Sequence, residues 1–192
     1  MKKRYLLLFI ILLLLLTTGC NRTPKENNDA ENNLPPEPEE EVVKESFFVG
    51  DRYKDILLDN NSGDSEKLSD YLGKPILVNF WVSWSPGSEN INDTLKEYYA
   101  DIKDSMHVIS INVTAIENNN LEYIIKYIES ERYPFPVYYD LDGQISSDYL
   151  VRSFPTGYII DKQGFIEKIF IGDVDEELFL LEIEKAISGR KE

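Results

Sequence analysis

GKPILVNFWVSWSPGS, residues 73–88, decides how the rest of the chain is read. Ile76 to Val82 is a nearly continuous apolar run, the pattern of a strand buried on both faces of a parallel sheet. An aromatic, Trp84, follows, and then Ser-Pro-Gly-Ser. Ser85 is a favoured N-cap type and Pro86 suits the first helical position, so the spacing predicts a helix from Pro86 to about Lys103. Ile91, Leu95, Tyr98/Tyr99 and Ile102 recur along it at helical spacing.

Outward from that unit, strand and helix alternate. HVISINV (107–113) predicts a second buried strand, and LEYIIKYI (121–128) a helix with Leu121, Ile124/Ile125 and Ile128 on its apolar face. Residues 136–139 predict a short strand stopped by Asp140-Leu141-Asp142-Gly143. Residues 157–160, the turn Asp161-Lys162-Gln163-Gly164 and residues 165–170 predict a hairpin. Asp175 caps a final helix bearing Leu178, Leu181 and Ile187. Upstream, residues 55–58 and 66–68 flank the turn-rich NNSGDS and predict a small hairpin. The expected class is α/β: a central mixed β-sheet with helices on both faces, preceded by an N-terminal β-hairpin extension.

The chain has 192 residues and one cysteine, Cys20. It opens MKKRYLLLFIILLLLLTTGC, a basic n-region and an apolar h-region too short and wrongly flanked for an ordinary spanning helix. The ending resembles a bacterial lipobox, which implies that Cys20 is lipidated on sulfur and becomes the mature N-terminus. Thr17 and Thr18 depart from that pattern, standing where Leu and a small residue are usual. Residues 1–19 are thus expected to be a lipoprotein signal peptide, 20–46 the lipidated cysteine with a disordered acidic tether, and 47–192 one globular domain. Acyl chains on Cys20 would hold the protein on the bacterial cell membrane, facing the extracytoplasmic side.

Residues 21–46 carry eight acids against three bases, a self-repelling composition. The acids from Glu37 to Glu41 lack the spaced ligands and Gly turn of a cation cage, so no metal is expected. Net charge is −15 overall and −13 on residues 47–192. With no surplus of Lys and Arg to displace counterions, nucleic-acid binding is excluded.

Several short motifs run in order through the domain. They are Val49-Gly50-Asp51, Leu68-Ser69-Asp70 with Gly73-Lys74-Pro75, and Val78-Asn79-Phe80-Trp81 leading to Trp84. Phe135-Pro136-Val137 with Asp140 follows, then Phe154-Pro155-Thr156 ahead of Ile160-Asp161-Lys162 and Gly164. On these residues the domain resembles the thioredoxin-fold (redoxin) lipoproteins of the ResA/TlpA type, extracytoplasmic disulfide reductases tied to the membrane. The resemblance implies a thioredoxin-like fold and a W-C-x-x-C motif whose first cysteine attacks a disulfide and whose second resolves the intermediate. The matching positions here are Ser85 and Ser88. It also implies that Pro155 is cis, facing the helix start, and that Phe154 presents backbone groups to an extended substrate. Trp84, Pro86, Phe154 and Pro155 are thus the expected binding surface for an extracytoplasmic protein or peptide. Asp93, Glu89 and Ile91 depart further from the family pattern, standing where proline, a base and an acid are common.

Disulfide exchange needs an attacking thiolate and a mixed disulfide. A helix N-terminus favours negative charge by at most about 2 kcal/mol, which leaves a serine hydroxyl protonated. No catalytic residue is expected to be intact, and no cofactor is implied. A serine hydrolase would need a base, and His107, the one histidine, is expected at the opposite end of the sheet. Ser83, Ser85 and Ser88 are therefore expected to be structural, and Trp81 to be core. The expected function is a redox-inactive, membrane-anchored binding or accessory module. The alternative is a thiol-disulfide oxidoreductase of the ResA/TlpA type, with a role like cytochrome c maturation, drawing a thiol from elsewhere.

Overall fold

The computed structural model describes residues 47–60 and 65–189. The expected signal peptide, Cys20 and the tether lie outside the described residues, as do residues 61–64 of the first turn. β1 (Leu57–Asp59) and β2 (Ser65–Lys67) form an antiparallel hairpin, followed by a 3-10 turn at Leu68–Tyr71. Then come β3 (Ile76–Trp81), α1 (Pro86–Ile102), β4 (His107–Asn112), a 3-10 turn at Thr114–Ile116, and α2 (Leu121–Glu131). β5 (Val137–Tyr139), α3 (Gln144–Asp148), β6 (Thr156–Ile160), β7 (Ile166–Ile171) and α4 (Glu176–Ser188) complete the order.

β3 sits at the centre of a five-stranded sheet of order β5-β4-β3-β6-β7. β3, β4 and β5 run parallel, while β6 is antiparallel to both β3 and β7. All six residues of β3 are buried, as a strand covered on both faces requires. Its alternate side chains serve two cores. Ile76, Val78 and Phe80 meet Leu58, Leu68, Tyr149 and Tyr158, whereas Leu77 meets Ile91 and Leu95 of α1 with Phe179 and Ile183 of α4. α2 joins the α1 side: Tyr127 lies 6.4 Å from Trp81, and Lys96 pairs with Glu131 at 3.5 Å.

Helices flank the sheet on both faces, as expected: the face opposite α1 is covered by the N-terminal hairpin together with the five-residue α3, which has too few turns to leave a periodic signal in the sequence. One expectation needs correcting. On α4, Leu178 and Leu181 are exposed; Phe179, Ile183 and Ala186 make the buried stripe, with Ile187 half-buried. Both stripes have helical spacing, and tertiary packing picks one: Phe179 docks edge-on against Phe170 of β7 at 5.2 Å. Asp175 does cap α4, accepting from the Leu178 N–H at 3.1 Å.

Tyrosines fasten the hairpin side. The Tyr71 and Tyr138 hydroxyls both donate to the Glu66 carboxylate, at 2.5 and 2.7 Å. Tyr149 Oη donates to the Lys54 carbonyl at 2.6 Å, and Tyr158 Oη to the Tyr149 carbonyl. Burial pushes the Tyr158 phenol up to about 12 and that of Tyr149 well above its ordinary value, so both remain hydrogen-bond donors.

Candidate functional site

Ser85 is extended, with φ −98° and ψ 118°, and caps α1 with Pro86 at its first turn. Its Oγ accepts from the Ser88 N–H at 3.4 Å and donates to the Phe154 carbonyl at 3.1 Å. Ser88 is fully buried, and its Oγ accepts from the Val82 N–H at 3.4 Å. Both hydroxyls are therefore committed to holding backbone. Pro86 is exposed at the rim.

The Phe154–Pro155 bond is cis, as the resemblance implies. Pro155 closes against the helix start at Gly87, where an added Cβ would stand 3.1 Å from the proline Cδ. A side chain there would press on the proline ring, which would have to give by a few tenths of an ångström. The Pro155 carbonyl accepts from the Gly172 N–H at 2.7 Å, which draws the loop after β7 into the site. Trp84 is 48% exposed, meets Phe154 edge-on at 6.3 Å between ring centroids, and donates from Nε1 to the Ile116 carbonyl at 3.3 Å. The structure thus brings Trp84, Ser85, Ser88, Phe154 and Pro155 together around one helix terminus.

Ser83 does not join that group. Its N–H and its hydroxyl both donate to Glu117 at 2.7 Å, and Asn112 Nδ2 donates to the same carboxylate at 2.6 Å. Glu117 thereby fixes the loop that carries Trp84. The sequence reading missed it, and also missed Gly87, because neither lies in a pattern of its own. Beneath the helix start the polar groups are neutral. Asn79 Nδ2 donates to Asn92 Oδ1 at 3.0 Å, and the Trp81 indole, in the core, donates to Ser110 Oγ at 2.9 Å.

His107 pairs in register with Ile76, the first residue of β3, whereas the site lies beyond Trp81 at its other end. Five residues of strand separate those levels, roughly 16 Å. Burial, and then the nearby Lys74 charge, lower its pKa, but it has no reach to a serine of the site. Among the described residues no three His, Cys, Asp or Glu side chains gather to hold a metal ion, and no helix is long and apolar enough to cross a membrane. The satisfied hydroxyls of Ser85 and Ser88 offer no activated nucleophile, and the exposed indole of Trp84 lies beside them.

Over residues 49–169 the sequence matches the AhpC/TSA family. It is 30% identical over 135 residues to the thiol-disulfide oxidoreductase ResA of Geobacillus thermodenitrificans strain NG80-2, covering 70% of this chain and 75% of that protein. The pneumococcal exposed lipoprotein thioredoxin of Streptococcus pneumoniae strain TIGR4 shares its fold with a TM-score of 0.61 and 25% identity, over 69% of this chain and 99% of that one. StoA from Bacillus subtilis is similar in fold alone, with a TM-score of 0.59 and 23% identity, over 68% of this chain and 96% of the other. The fold is thioredoxin-like.

Proposed function

Since this chain belongs to the AhpC/TSA family while its one cysteine, Cys20, lies outside the stretch that family spans, we propose that it is a redox-inactive thioredoxin-like lipoprotein that binds an extracytoplasmic protein. Acyl chains on Cys20 anchor it to the membrane, and the acidic segment 21–46 tethers the domain. One observation carries the reading: the two positions at the helix start that would need thiols are serines whose hydroxyls already hold Ser88, Phe154 and Val82 backbone groups. A mixed disulfide needs sulfur on both sides, and the domain of residues 47–192 contains no cysteine. The half-exposed Trp84 beside Phe154 and Pro155 remains available as a platform for a polypeptide.

A second reading, a thiol-disulfide oxidoreductase, is favoured by the family and by the name of the ResA relative. It requires Cys20 to supply the thiol, which lipidation of that sulfur removes.

The docking half is tested by giving the site a sulfur. In the full chain, Ser85→Cys places a nucleophile at the helix start with no resolving partner. It is expected to accumulate a mixed disulfide with an envelope protein, and Ser85→Cys/Ser88→Cys to release it. If Ser85→Cys reacts no faster with disulfides than a surface serine changed to cysteine, the platform no longer admits a polypeptide. The anchor is tested by Cys20→Ser, which is expected to move the protein from the membrane fraction to the soluble one; retention in the membrane would contradict it.

A further inference from the structure

Trp84, Phe154 and the 45%-exposed Ile116 form an apolar strip beside Pro155. The loop between β7 and α4 lies against Pro155 and the helix start next to the strip: Gly172 donates to the Pro155 carbonyl, and Asp173 comes within 3.5 Å of the Cβ position at Gly87. Beyond Asp173 a cleft of about 420 Å³ opens between α1 and the start of α4, with Asp93, Glu97, Asp173 and Glu176 on its walls. All four carboxylates are exposed, and among the described residues none of them pairs with a lysine or arginine. Lys96, the cation set among them on α1, is turned to Glu131 instead. Asp93 and Glu97 stand four apart on one helix face, a repulsive spacing that an incoming cation relieves.

We propose that the strip of Trp84, Ile116 and Phe154 seats an apolar residue of an extended polypeptide whose neighbouring lysines or arginines enter the carboxylate cleft between α1 and the β7–α4 loop. This rests on the docking reading. The carboxylates do not converge on one point, since no three acidic groups among the described residues are placed to hold a metal ion. Spread along a cleft, they suit several cations carried on one chain. A second copy of this domain, itself at −13, is the wrong occupant, as is any polyanion. From Gly87 to Glu97 the helix rises about 15 Å, the length of roughly four or five extended residues. The cations therefore lie within about five residues of the apolar anchor.

The test is selection of a random displayed-peptide library on the full-length chain, with the winners measured as synthetic peptides. The expected winners carry an aromatic or aliphatic residue with Lys or Arg clustered to one side. Their binding is expected to be lost in Trp84→Ala. In Asp93→Asn/Glu97→Gln/Asp173→Asn/Glu176→Gln it should fall about tenfold with a flattened salt dependence, a size set by a few exposed ion pairs. Near-ultraviolet circular dichroism confirms that both variants are folded. Winners that need Trp84 yet show no basic bias and bind the amide variant as tightly overturn the charge selection and leave docking standing. Winners indifferent to Trp84→Ala, or no winners at all, overturn the docking reading and this inference with it.

Discussion

A single hydroxyl at Ser85 caps the first turn of α1 and ties it to the loop that carries Phe154 ahead of β6. Ser85→Ala removes both bonds, and loss of a serine N-cap costs about 0.5–2 kcal/mol. The expected result is a fall of that size in unfolding free energy, read from the denaturant midpoint at constant slope. Ser85→Thr keeps both an acceptor for the helix start and a donor for the Phe154 carbonyl, so it is expected to recover most of the loss. If Ser85→Ala is as stable as the parent, the cap carries nothing. The cap was legible in the sequence because it is local: Ser, then Pro, then a polar turn. Glu117 was not, because it reaches back 34 residues to Ser83 and only the parallel pairing of β3 with β4 brings the two together.

The N-terminal hairpin is fastened to β5 through one carboxylate. Hydrogen bonds from Tyr71 and then Tyr138 hold the Glu66 carboxyl below the usual carboxylate range, against weak opposition from burial. A group whose pKa is depressed on folding stabilises the native state above its unfolded value and loses that contribution as pH falls through the folded one. Glu66→Gln is therefore expected to melt below the parent at neutral pH, with the gap closing as the pH drops below about 4. A gap that is the same at every pH would show that the tyrosines do not bond the ionised form. α4 marks where sequence periodicity stops being informative at this scale. Leu178/Leu181 and Phe179/Ile183/Ala186 are rival stripes on one helix, and packing on β7 chooses between them. α3 left no signal for a related reason, since five residues have no room for a period, whereas the equally short strands of the hairpin were legible through the turn residues between them.

For the molecule as a whole, the parallel unit β3-α1-β4 was legible because a strand buried on both faces must be apolar throughout, and its helix then shows a clean spacing. The placement of the site followed from the same segment, since Trp84 to Ser88 are its turn. The carboxylates of the proposed subsite for basic residues, Asp173 and those around it, come beside the helix start only once β7 returns next to Pro155. The fold is thioredoxin-like and the chain is similar to the thiol-disulfide oxidoreductase ResA; on the reading proposed above, the bonded hydroxyls of Ser85 and Ser88 stand where that chemistry would need sulfur. The most direct measurement is reduction of insulin disulfides by the full-length chain, alongside its Cys20→Ser variant. Both are expected to match the rate of the chemical reductant alone. Turnover well above that rate by the parent, and above all by the Cys20→Ser variant, would contradict the loss of redox function.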